Sequence, residues 1–210
     1  LGNSNFGNDQ SNMQFIDVDG VATTANSSTA DLVLPAGTNT IKFARLYWGG
    51  RIDDDNSNYA NRGTVSIRKA AGAYATVNAG VQIDQTLLTG DQYAYQAYQD
   101  VTAFVNTNGA GSYTVANVAT TTGSVGGGGN YGGWALVVVY ENLTLPYSSV
   151  RVYDGFVRVE NNATQAIQLT GLNAPGTPVL ASDAYMSTMA WEGDGNLAAT
   201  AQNPAGDYIK

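Results

Sequence analysis

The chain has 210 residues, no histidine, no cysteine and a formal charge of −8 at pH 7. It therefore lacks the usual general base, the commonest transition-metal ligand, thiolate nucleophiles and disulfides, which excludes Ser-His-Asp and Cys-His catalysis. Its nine Lys and Arg are scattered, which argues against nucleic acid or anionic lipid as a partner, since both need clustered basic residues.

Only 12% of residues are charged, and Gly, Asn, Thr and Tyr are abundant, a composition more typical of exported surface proteins than of cytosolic enzymes. No stretch approaches the roughly 20 apolar residues of a membrane helix. A start at Leu1 with no basic and apolar leader pattern reads as a processed, extracellular, cell-surface chain.

In chain order, residues 1–12 form an extended polar arm ahead of one β-sandwich domain, 13–210. Short β-branched and aromatic runs bounded by Gly, Asn, Asp and Pro predict strands. They fall at Met13–Val18, Ser28–Leu34, Ile41–Trp48, Thr64–Arg68, Ala75–Val81, Tyr93–Phe104, Gly111–Val118, Trp134–Tyr140, Ser149–Val159, Ala166–Thr170 and Ala184–Trp191. Asp100 offers an alternative within the sixth, as the N-cap of a helical turn. The continuous apolar run Trp134–Tyr140 predicts a central strand buried on both faces. Asp154-Gly155 reads as a bulge in one long strand, because a hairpin turn there would set Arg151 opposite Arg158. A Gly-rich loop, residues 123–133, leads into the apolar run. The fold class is all-β: an antiparallel β-sandwich or jelly roll with long Gly/Asn-rich loops.

Several segments in this order carry a family resemblance: Met13-Gln-Phe-Ile-Asp-Val-Asp-Gly-Val-Ala-Thr-Thr24, Ala44-Arg-Leu-Tyr-Trp-Gly-Gly50, Asp100-Val-Thr-Ala-Phe-Val105, Gly111-Ser-Tyr-Thr-Val-Ala-Asn117, Gly133-Trp-Ala-Leu-Val-Val-Val-Tyr140, Val152-Tyr-Asp-Gly-Phe156 and Trp191-Glu-Gly-Asp-Gly195. Together they resemble the N-terminal domain of large bacterial surface and secreted proteins that carry tandem β-sandwich repeats of unknown function. The resemblance implies an adhesin-like role and supplies no catalytic residues. No repeats follow the last element, so the chain reads as a fragment or as a short stand-alone member.

Candidate sites come from the residues themselves. Asp53, Asp54, Asp55 and Asn56 offer the oxygen ligands Ca²⁺ prefers, against a plain reading as turn formers. Tyr93, Tyr95 and Tyr98 offer rings that stack on sugars, against ordinary sheet packing. Glu141, Glu160 and Glu192 lie in no recognisable catalytic setting, and Asp154 is the one acid in apolar surroundings. Lys42, on the predicted inward face with Ala44, Leu46 and Trp48, reads as an isopeptide-forming lysine or as a snorkelling one. Three sequons, at Asn26, Asn142 and Asn162, read as chance matches in an Asn/Thr-rich chain. The arm, with Phe6, Asn8 and Asn12, reads as a donor strand, its alternate side chains filling pockets on a neighbour.

The functional expectation is a non-enzymatic, extracellular structural subunit that polymerises head-to-tail into a pilus-like or matrix fibre. Its alternative is a carbohydrate-binding surface domain that uses Ca²⁺.

Overall fold

The computed structural model describes residues 12–86, 92–123, 129–159, 164–173 and 184–191. The β-prone runs become β1 Ser27–Leu32, β2 Thr40–Asp53, β3 Thr64–Lys69, β4 Ala75–Asn78, β5 Val81–Thr86, β6 Gln92–Asp100, β7 Gly111–Ala116 and β8 Gly132–Glu141, with helix α1 Thr102–Asn108 between β6 and β7. Two four-stranded sheets result, ordered β1-β7-β3-β4 and β5-β6-β2-β8. All their ladders are antiparallel. The inward faces share one apolar cluster, so the expected β-sandwich is the architecture found. Leu46, Trp48 and Ile52 of β2 and Tyr95 of β6 meet Val65 and Ile67 of β3 and Val115 of β7 there, all sealed from solvent.

Local chemistry sets the element ends. Asp100 accepts a hydrogen bond from the Thr102 amide at 2.9 Å, stopping β6 and starting α1. A helix does form here, with Val101 and not Asp100 at its N-cap position, and Val105 of α1 closes the core. The expected strand Ala75–Val81 divides at Ala79-Gly80. The Ala79 amide bonds Gly63 beside the first sheet and the Gly80 amide bonds Tyr98 in the second, so the chain changes sheets at that point.

Four expectations are corrected. The run Trp134–Tyr140 is not central among the described residues: there β8 pairs with β2 on one side and ends its sheet. Lys42 does not share the inward face, because the β2–β8 register slips between Ile41 and Phe43 and leaves Lys42 unmatched. It stands exposed beside Glu141 at 3.1 Å, a contact worth little in water. Met13–Val18 makes only isolated bridges, Met13 to Gly123 and Asp17 to Ser27. The expected strands Ser149–Val159, Ala166–Thr170 and Ala184–Trp191 form no ladder among the described residues. Segment 149–159 meets the sandwich through side chains and one carbonyl instead, as set out below.

Candidate functional site

Sheet edges expose unpaired N–H and C=O groups, and natural proteins blunt them with short strands, charges or bulges. Three edges of this sandwich follow that practice. β1 has six residues and carries Asp31, β4 has four, and β5 has six and carries Asp84. The fourth edge does not. β8 runs for ten residues, and none of Gly132–Tyr140 is charged. Its inward residues Trp134, Leu136 and Val138 pack on the core. All of 133–139 stay only half-buried. Among the described residues no backbone hydrogen bond leaves the outer side of this strand. A sequence suited to a sheet centre thus sits at a sheet edge, where every second residue offers a donor and an acceptor to an incoming strand.

The outer face of the same sheet carries a built seat. Arg45 lies between two rings, 4.8 Å from the Phe43 centroid and 4.9 Å from that of Tyr98. Tyr98 in turn packs on Tyr47, with centroids 5.5 Å apart. These groups converge on Asp154: Arg45 pairs with one carboxylate oxygen, and the Tyr47 hydroxyl donates to the other. Burial, reinforced by that carboxylate, pushes the Tyr47 phenol up to about 12. Gln96 donates to the Gly155 carbonyl at 3.0 Å and accepts from the Trp191 indole at 2.8 Å. The indole rests over Gly49 and Gly133, which face each other across the β2–β8 ladder. Any side chain at Gly49 would run into the Tyr95 carbonyl and crowd that ring.

The residues singled out from sequence fall elsewhere. Asp53–Asn56 closes a turn, the Asn56 amide donating to the Asp53 carbonyl at 3.1 Å. The Asn56 carboxamide accepts from the Asn58 amide. No group of three or more acids among the described residues is placed to hold a metal. Tyr93, Tyr95 and Tyr98 do not form one surface. Tyr95 is fully buried, its hydroxyl donating to the Ala119 carbonyl at 2.8 Å, and burial raises its pKa far above the usual phenol range. Tyr93 packs on Tyr59, and Tyr98 lies on the opposite face of β6. Phe6, Asn8, Asn162, Glu160 and Glu192 lie outside the described residues, and Asn12 is exposed beside Met13.

Two sequon asparagines serve the fold. Asn26 and Asn142 each donate through Nδ2, the atom a glycan would occupy, to backbone carbonyls at 2.8 and 3.0 Å. Sequence reasoning missed Arg45, Tyr47 and Gln96, whose only local signal is polar side chains alternating with a core face.

One further acid is held tightly. Asp19 accepts from the Tyr74 hydroxyl, the Val21 amide and the Thr24 hydroxyl, with Arg68 at 3.6 Å. The Tyr74 bond, opposed by burial and helped by the Val21 amide, lowers its pKa to about 2. Folding therefore favours the ionised form, so its contribution is complete above the unfolded carboxylate value near 4 and is lost as pH falls toward 2. Thermal melts of Asp19→Asn should accordingly show a shallower loss of Tm between pH 4 and pH 2 than the parent. Parallel curves would disprove this role for Asp19.

No family model, curated protein or solved structure matches the chain. No described helix is long and apolar enough to cross a membrane. The fold is an antiparallel β-sandwich whose β8 edge has no strand partner among the described residues.

Proposed function

We propose that this chain is a non-enzymatic, extracellular structural subunit that assembles head-to-tail into a fibre or matrix by strand addition. The acceptor is the outer edge of β8, and the donor is the N-terminal arm, residues 1–12, of a neighbouring copy. The observation that carries this reading is the position of β8: among the described residues the longest apolar run of the chain ends a sheet, with no charge before Glu141. An added strand supplies its missing main-chain partners and covers its half-buried side chains.

Length and placement agree with the donor. Ten residues of β8 span about 33 Å, and a twelve-residue arm reaches about 40 Å at strand rise. Met13 and Gly123 exchange both main-chain hydrogen bonds, at 3.0 and 2.8 Å, fixing the base of the arm. Asn130, two residues before β8, donates to the same Gly123 carbonyl at 3.3 Å, so Met13 lies beside the turn into the acceptor strand. Because donor and acceptor are different surfaces, repetition need not close, and an open filament follows. The composition, with neither His nor Cys, and the resemblance to surface-protein N-terminal domains support the same reading.

Deleting residues 1–11 tests the donor. Negative-stain microscopy and light scattering should show filaments for the full chain and discrete particles of monomer mass for the truncated one. Filaments that survive truncation would exclude the arm, and monomers in both samples would exclude self-assembly.

A further inference from the structure

The seat on the outer face of the second sheet is independent of the β8 edge and has its own ligand chemistry. Its parts, Arg45, Tyr47, Gln96 and Tyr98, all sit on β2 and β6, where the ladder holds them in place. Arg45 and Tyr47 reach separate oxygens of one carboxylate, and Gln96 reads the carbonyl of the next residue. This constellation recognises an extended Asp-Gly pair: a charge, a phenol donor and a main-chain contact, with aromatic rings stiffening the cation.

The plug that fills it belongs to a segment that the sandwich barely holds. Between Glu141 and Asp154 no residue forms a ladder. The connection leaves Leu143 91%, Tyr147 96% and Val150 50% exposed. Beyond the plug, Val157, Val159 and Ile167 are also exposed. An exposed apolar series of this kind marks a surface meant to be covered.

We propose that the seat is an exchangeable docking site, and that in the assembled protein it receives the Asp154-Gly155 segment of a second copy. Exchange reproduces every contact of the seat, so it forfeits no ion pair or hydrogen bond, which is the usual route to domain swapping. The charge complementarity of Arg45 and Asp154 fixes the register of the incoming segment. Placed side by side, two exchanged segments also give the exposed valines and tyrosines of 143–159 something to pack against.

The absence of native cysteine allows a clean test. The Gln96 carboxamide reaches the Gly155 carbonyl at 3.0 Å, so full-length Gln96→Cys and Gly155→Cys chains are purified separately, mixed and treated with a short bis-maleimide, which spans the missing glutamine side chain where a direct disulfide would not. Exchange predicts a cross-linked product of twice the chain mass containing both variants, in excess of anything formed when either is treated alone. The doubly substituted chain, Gln96→Cys with Gly155→Cys, checks that both sites fold and react. If that chain closes internally at monomer mass while the mixture yields no heterodimer, the seat is filled only from its own chain and the proposal falls. Repeating the mixture in chains lacking residues 1–11 separates the two assembly contacts. A heterodimer that persists there belongs to the seat alone, and one that vanishes assigns the contact to the arm and overturns the proposal.

Discussion

A lysine in place of Val139 is expected to leave the sandwich folded and to abolish its filaments. Val139 lies on β8 opposite Phe43 of β2, half-buried on the outer side of an open edge. In the free subunit the lysine stem lies along the sheet and the ammonium turns to water, so the loss of stability is about 1 kcal/mol. Once a strand is added, the same ammonium is enclosed between apolar neighbours without a carboxylate partner. Several kcal/mol oppose that burial, and each 1.4 kcal/mol is a factor of ten, so association weakens by about a hundredfold or more. The control is Ala30→Lys on β1, an exposed position on a different edge. It makes the same change in net charge and should assemble like the parent. Sedimentation of filaments with near-UV circular dichroism checks both halves. Normal filaments from Val139→Lys would show that the β8 edge is not the acceptor.

Local features of the fold were readable before any coordinates. Seven of the eight strands fall on runs whose alternation and bounding turn residues are visible in short windows, and Asp100, one residue ahead of the helix N-cap, marks where α1 begins. What no window contains is the neighbour. The run Trp134–Tyr140 has the composition of a central strand, and its place at the edge of the described sheet is set by strand order, which no window shows. Lys42 alternates with the core face by counting, and only the slip against β8 turns it outward. Tyr93, Tyr95 and Tyr98 are close in sequence, yet the pleat sends Tyr95 inward and Tyr98 outward. Asp154 stood out as an acid among apolar residues. Its partners Arg45 and Tyr47 lie 109 and 107 residues away, so its surroundings were not legible from its own segment. The oxygen-rich Asp53–Asn56 run shows the converse: a suggestive composition is used by the backbone to make a turn.

Arg51 presents the largest stability effect that the structure predicts. It is 3% exposed on β2, following Gly50, whose lack of a side chain lets Tyr131 and Gly132 at the end of the Gly-rich loop approach. A Cβ at Gly50 would lie 2.5 Å from the Thr120 methyl and 2.7 Å from the Tyr131 carbonyl. Into this space Arg51 sends Nη1 to donate to the Gly129 carbonyl at 2.7 Å. Its amide donates to the Tyr131 carbonyl at 3.0 Å, and its carbonyl accepts from the Thr121 amide at 3.1 Å. One residue thereby ties the connection leaving β7 and the connection entering β8 to the centre of the sheet. Arg51→Ala keeps the backbone bonds but strips a buried carbonyl of a charged donor and leaves a void where the side chain lay. Together these should cost about 3 kcal/mol, a fall of roughly 10 °C in Tm for a chain of this size. Arg51→Lys should recover little, since a single ammonium does not reproduce the planar fork. Because the loop positions β8, both variants should also assemble poorly at temperatures where they remain folded. A Tm within 2 °C of the parent for Arg51→Ala, in the same scan, would show that the loop is held without this side chain.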